Sequence, residues 1–161
     1  MTEQEYNQCV DQFADRLYRF ILKNMQVPED AQDVVQSAFE KLWKHRAEIN
    51  SETAKSYLFT VAYNHMIDHF RKNKKIILVD EFNERIKTSG SKQHTLKKEL
   101  ENALQQLTPL QKSLILLKDY EGYSYDEIGN ITGLNSNQVK VYLHRARLQL
   151  RTYLGKIENL I

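Results

Sequence analysis

Gly129 and Gly133 stand four residues apart in the stretch EIGNITGLNSNQVKVYL, with Ile128 before the first and Leu134, Val139 and Leu143 after the second. Two helices that cross steeply need a small residue where their backbones meet. They also need a residue tolerant of positive φ in the turn between them. Gly129 meets the first need and Gly133 the second, and the apolar residues are spaced to fix the second helix against the first. The pattern predicts a helix-turn-helix.

The same stretch carries one sign of charge. No Asp or Glu occurs between Glu127 and Glu158, while Lys140, Arg145, Arg147, Arg151 and Lys156 fall inside it. The chain as a whole has 23 Lys+Arg against 21 Asp+Glu, so the imbalance is local. A carboxylate on a face that approaches a phosphate backbone would repel it. Favourable alignment with a helix dipole accounts for Arg151 and Lys156 near the helix end, but not for the whole acid-free run. In a helix-turn-helix the N-terminal part of the second helix meets base edges in the major groove; here it carries Ser136, Asn137, Gln138, Lys140 and Val141. Asn, Gln and Lys offer hydrogen bonds to purine edges, and Val141 suits a thymine methyl. Arg145, Arg147 and Arg151 lie further along, suited to phosphates.

Only two prolines and five glycines interrupt 161 residues, and apolar spacing is three and four throughout, so an all-α chain is expected. Thr108 and Pro109 open a helix that ends at Gly122. Ser124 caps YDEIGNIT with Glu127 at capping-box spacing, and Asn135 or Ser136 caps the last helix. In the first half, Val10, Phe13, Leu17, Phe20 and Ile21 form one apolar face. Val34, Val35, Ala38, Phe39, Leu42 and Trp43 form a second, and Leu58, Val61, Ala62 and Met66 a third. Phe20, Phe39 and Trp43 are expected in the core. The one compositional break, 76–97 with its TSGSK, reads as a flexible linker between helical domains at 1–75 and 98–161.

A single cysteine, Cys9, excludes an internal disulfide. The longest aliphatic runs fall far short of the roughly 20 residues that cross a bilayer, and the acidic N-terminus is unlike a secretory signal. A cytoplasmic protein without membrane insertion is expected. On the second helix, the face away from the apolar set carries Asp33, Gln36, Ser37 and Glu40. On the third, Asn64 and Asp68 share a face leading into a basic cluster of Arg71, Lys72, Lys74 and Lys75.

Three segments together resemble the extracytoplasmic-function (ECF, group 4) sigma factors of bacterial RNA polymerase. PEDAQDVVQSAFEKLW is similar to that family's region 2.2, SYLFTVAYNHMIDHFRKNKK to regions 2.3–2.4, and LTPLQKSLILLKDYEGYSYDEIGNITGLNSNQVKVYLHRARLQL to region 4. They occur in the family's order, with a linker where the family has one. The resemblance implies a three- or four-helix region 2 domain and a helix-turn-helix region 4 domain. It implies that Asp33 and Gln36, with Ser37 and Glu40 on the same stripe, dock the clamp coiled coil of the polymerase β′ subunit. Asn64, Asp68, Arg71, Lys72, Lys74 and Lys75 would handle the −10 element and its melted strand, and the loop around Ile49–Thr53 would help pocket a flipped base. Ser136, Asn137, Gln138, Lys140 and Val141, with His144, Arg145 and Arg147 of the retained HRAR, would read the −35 duplex, while region 4 docks the β flap. An anti-sigma partner is implied, and no cofactor, metal or catalytic residue. Tyr63, His65, Val141 and Tyr142 depart from the family pattern, which bears on base preference.

Two other classes account for less of the chain. His65 and His69 at i, i+4 beside Asp68 have the spacing of a helical metal pair, but no third ligand lies near in sequence. A stand-alone helix-turn-helix repressor or response-regulator output module explains the last third and leaves the polar stripe of 33–40 and the segment 64–75 without a role.

Overall fold

The computed structural model describes residues 1–84 and 95–158, with side chains for 1–73 and 96–155. Thr2 opens α1 (Glu3–Met25), its hydroxyl accepting from the Glu5 N–H at 3.1 Å. The helix closes at Gln26, whose φ of 66° places it in the left-handed region while its N–H returns to the Leu22 carbonyl. Pro28 sits in the first turn of α2 (Pro28–Lys44), where its missing N–H removes no helical bond. A turn leads to α3 (Ala54–Glu84). Leu17, Phe20 and Ile21 of α1, Ala31, Val34, Ala38 and Leu42 of α2, and Leu58, Phe59, Ala62 and Met66 of α3 are buried together, as the three apolar faces require. Trp43 departs from expectation. It lies at the rim, its ring covered by the Arg46 guanidinium at 3.7 Å and by Tyr6 at 4.9 Å, a position suited to its large amphipathic ring.

The expected linker 76–97 begins within α3, includes residues 85–94 that lie outside the described set, and ends where α4 (Thr95–Gln105) has begun. Thr108 and Gln111 form a reciprocal capping box at the start of α5 (Pro109–Ile115), with Pro109 in the first turn. The helix then widens into a π turn over Leu116–Tyr120, closed by the Glu121 N–H on the Leu116 carbonyl at 3.0 Å. Gly122 breaks it at φ 74°. Then come α6 (Tyr125–Thr132) and α7 (Ser136–Glu158), which packs on α4, α5 and α6.

The two halves share a core, a feature absent from the sequence-based expectation. α3 packs on α6, and α1 touches α5. Phe59 of α3 meets Tyr123 edge-on at 5.4 Å between ring centroids. Arg16 of α1 pairs with Glu121 at 3.3 Å. Beside them runs a polar seam: Ser113 donates to Asn24 Oδ1, the Lys112 ammonium donates to the Asn24 carbonyl and to Gln105 Oε1, and Gln105 donates to the Lys23 carbonyl. Lys112 is only 5% exposed and has no carboxylate partner among the described residues, so burial lowers its pKa to about 8. Among the described residues the buried Tyr123 hydroxyl has no hydrogen-bond partner. Burial, then Glu121 and Glu127, push that phenol's pKa up.

Candidate nucleic-acid and polymerase interfaces

The helix-turn-helix is built as its glycines predict. A Cβ on Gly129 would lie 2.6 Å from the Leu134 carbonyl oxygen, so only glycine lets the chain leaving α6 pass this close. Gly133 adopts φ 82° and returns its N–H to the Gly129 carbonyl at 2.8 Å. Ser124 caps α6 through the Glu127 N–H. Ile128, Val139 and Leu143 are fully buried between α6 and α7, with Leu134 packed at their edge.

On α7, Asn137, Gln138, Lys140, Val141, His144 and Arg145 are exposed, and Ser136 and Arg147 are half-buried. Val141, at 46% exposure, offers a bare apolar surface among the polar groups. Asn135 and Gln138 cap the helix reciprocally: the Gln138 N–H donates to Asn135 Oδ1 at 2.8 Å and the Asn135 N–H to Gln138 Oε1 at 3.0 Å. The Gln138 oxygen is therefore engaged, and its NH2 group faces outward as a donor. Lys140 leans over the Tyr125 ring at 5.4 Å and Arg145 over Tyr142 at 6.0 Å. Arg147 is gripped by Asp119, Nη2 to Oδ1 at 2.6 Å and Nε to Oδ2 at 3.4 Å. The Asp119 hydrogen bond, against some loss of solvent, raises the Arg147 pKa further, with the Asp119 charge and a hydrogen bond to Tyr125 adding to it. Asp119 and Tyr125 were not singled out from the sequence; three further acids, Glu121, Asp126 and Glu127, separate Asp119 from the acid-free run, so nothing local marked it.

In the first half, Asp33, Gln36 and Glu40 are exposed along α2 with Ser37 half-buried beside them, while Val34, Ala38 and Leu42 point inward. Asn64, Asp68, Arg71 and Lys72 are exposed on α3, with Arg71 3.9 Å from Asp68. The side chains of Lys74 and Lys75 lie outside the described residues. Tyr63 is buried, its phenol's pKa raised by burial, so it faces the core and not the polar surface. His69 joins the two helices, its Nε2 3.4 Å from Asp30 and 2.9 Å from Asn73 Nδ2. Burial and the neighbouring Lys41 lower the His65 pKa, which favours a neutral ring. Among the described residues no group of three or more His, Cys, Asp or Glu is placed to hold a metal ion. In the loop before α3, Asn50 Oδ1 accepts from the Thr53 N–H and hydroxyl, which fixes an exposed turn beside partly buried Ile49. Among the described residues, no helix is long and apolar enough to cross a membrane.

Comparison with known proteins matches both halves. Residues 9–76 match Sigma-70 region 2, and residues 97–150 match Sigma-70, region 4. The RNA polymerase sigma factor SigV of Bacillus subtilis is 32% identical over 149 residues, covering 92% of this chain and 90% of SigV. The ECF RNA polymerase sigma factor SigM of the same organism is 25% identical, covering 91% of this chain and 93% of SigM. In fold, the chain is similar to the sigma factor RpoE solved with the anti-sigma factor NepR from Bartonella quintana. The TM-score is 0.75 at 21% identity, over 94% of this chain and 98% of that one. CnrH, solved with the cytosolic domain of CnrY, gives a TM-score of 0.70 at 21% identity, over 96% and 90%. With both regions present in order and a relative matched nearly end to end, the chain belongs to the sigma-70 family as an ECF RNA polymerase sigma factor, directing promoter-specific initiation of transcription.

Proposed function

We propose that the work divides between 1–75 and 98–161, joined by 76–97. The first part binds core polymerase through Asp33, Gln36, Ser37 and Glu40 against the β′ clamp. It handles the melted −10 strand through Asn64, Asp68 and the cations Arg71, Lys72, Lys74 and Lys75. The second reads the −35 duplex with Ser136, Asn137, Gln138, Lys140 and Val141. His144, Arg145 and Arg147 approach the backbone, and the same domain docks the β flap. The observation that carries this reading is the pairing, in one chain, of an exposed acid-free recognition helix with an exposed acidic stripe on α2. A stand-alone DNA-binding regulator has no use for the second surface.

The chain supplies binding and not a reaction step, and nucleotide chemistry stays with the polymerase. It works in the cytoplasm, where its partner and template are. The two solved relatives were captured with an anti-sigma factor or with the cytosolic domain of CnrY, and this chain is expected to be held by an anti-sigma partner of its own.

The test is binding of the purified chain to core RNA polymerase, with binding to promoter DNA by the chain alone run alongside. Tight binding to polymerase with weak binding to free DNA supports the division of labour. Sequence-specific DNA binding without polymerase affinity overturns it.

A further inference from the structure

Among the described residues, Arg147 is the one cation of α7 with a carboxylate partner, and that partner comes from outside the helix. Asp119 lies in the π turn, a backbone form found mostly as single insertions and often at functional sites. Leu116 and Leu117 of that turn stay buried, while Asp119 projects to meet α7. The pair is about 40% exposed on each side, at 38% and 41%. A half-exposed ion pair contributes only about 0–1 kcal/mol to stability, so stability is a poor reason for an acid on a face that approaches phosphates.

The geometry supplies another reason. Asp119 takes Arg147 from the side, through Nε and Nη2. A guanidinium has five N–H donors in a rigid fork; Asp119 takes two of them and the Tyr125 side chain also hydrogen-bonds the group, so it is held in one orientation with donors left over. An unrestrained arginine gives up rotamer freedom on being ordered. Here the ordering is done before DNA arrives. Lys140 and Arg145 rest on aromatic rings in a comparable way.

We propose that Asp119 is a positioning residue for −35 recognition, presenting the remaining N–H donors of Arg147 to a backbone phosphate. The proposal rests on the reading of α7 as the −35 reader. A mask, in which Asp119 cancels Arg147 and lowers DNA affinity, makes the opposite prediction.

The test uses full-length chain assembled with core polymerase, and a duplex selected by the wild-type holoenzyme from a pool randomised across the −35 window. Asp119→Asn and Arg147→Ala are each expected to weaken binding of that duplex about fivefold. Each should flatten the dependence of log K on log salt by about 0.9, one phosphate contact. The double variant should be no weaker than either single one, and Arg147→Lys, which keeps charge without the fork, should fall between. Tighter binding by Asp119→Asn overturns the proposal in favour of a mask. Loss with Arg147→Ala but not with Asp119→Asn overturns it while leaving α7 as the reader. A selection that recovers no −35 preference overturns the reading of α7 and the proposal together.

Discussion

Asn24 and Ser113 lie 89 residues apart in the chain and share a buried hydrogen bond, Ser113 Oγ donating to Asn24 Oδ1 at 3.0 Å. Asn24 in turn donates from Nδ2 to the Phe20 carbonyl at 2.8 Å, which fixes the direction of its amide. The bond ties α1 to α5 and so one half of the molecule to the other.

Ser113→Ala leaves Asn24 Oδ1 buried without its donor, at a cost of about 1–3 kcal/mol. For a chain of this size that corresponds to a fall in Tm of about 2–4 °C per kcal/mol. The double variant Asn24→Leu/Ser113→Ala removes both polar groups and is expected to lose less than the sum of its parts. Thermal unfolding of the four proteins checks this. Strict additivity would mean that the two side chains do not interact in solution.

Lys112 makes this seam sensitive to pH. Its folded pKa is about 8 against an ordinary 10.5, so between those values the unfolded chain binds more protons than the folded one. Stability from this group is therefore expected to rise with pH above about 8 and level off near 10.5. Buried Cys9 and Tyr123 act with the opposite sign, since their folded pKa values are raised above 9 and 10 and the unfolded chain ionises first. The rise should be clearest between about 8 and 9. Urea unfolding at pH 7.5 and 9 should show a smaller rise in Lys112→Met than in wild type. Equal pH dependence in both would place the ammonium in solvent.

Gly129→Ala forces a methyl against the Leu134 backbone carbonyl, 2.6 Å away, where no flexible side chain can yield. Overpacking of this kind costs about 1–3 kcal/mol, and the angle between α6 and α7 should shift with it. Loss of −35-dependent initiation beyond the loss of stability is the expected result. A variant with wild-type unfolding and wild-type initiation would show that the turn relaxes freely.

Asp33→Lys reverses the charge of an exposed position on α2 without touching the core. It is expected to weaken core-polymerase binding about tenfold or more with circular dichroism unchanged. Unaltered affinity would move the docking surface elsewhere.

Lys140→Ala removes an exposed recognition-helix cation and is expected to cost about 1–3 kcal/mol at the −35 element. Abortive initiation on matched and −35-altered templates measures it, and unchanged selectivity would remove Lys140 from the reading set.

The features legible in the sequence are those whose physics is local. Gly129 and Gly133, Ser124, and Thr108 before Pro109 each carry their structural reason within a few residues and act accordingly in the fold, although at Ser124 only its own half of the expected capping box with Glu127 forms. The seam joins residues that no spacing connects, so it could not be placed in advance, although two polar residues standing in apolar surroundings hinted at it. Asn24 follows Phe20 and Ile21 on the buried face of α1, and Lys112 precedes the buried run Ser113–Leu117. A polar group on such a face calls for a partner but does not name one. The π turn left no trace either, because LILLKDYE has the composition of an ordinary helix. Gln138 was expected to face bases, and its part in a helix cap was not foreseen, since one amide has two ends and the sequence does not say which is engaged.

The polar seam is a different kind of join from the apolar contact beside it. A join made mostly of leucines, once parted, leaves two adhesive surfaces that find wrong partners as readily as right ones. When Asn24, Gln105, Lys112 and Ser113 are pulled apart, water takes up every bond they lose. That strip of the join stays wettable, unlike the Phe59–Tyr123 contact nearby, and because hydrogen bonds demand direction it favours a single register.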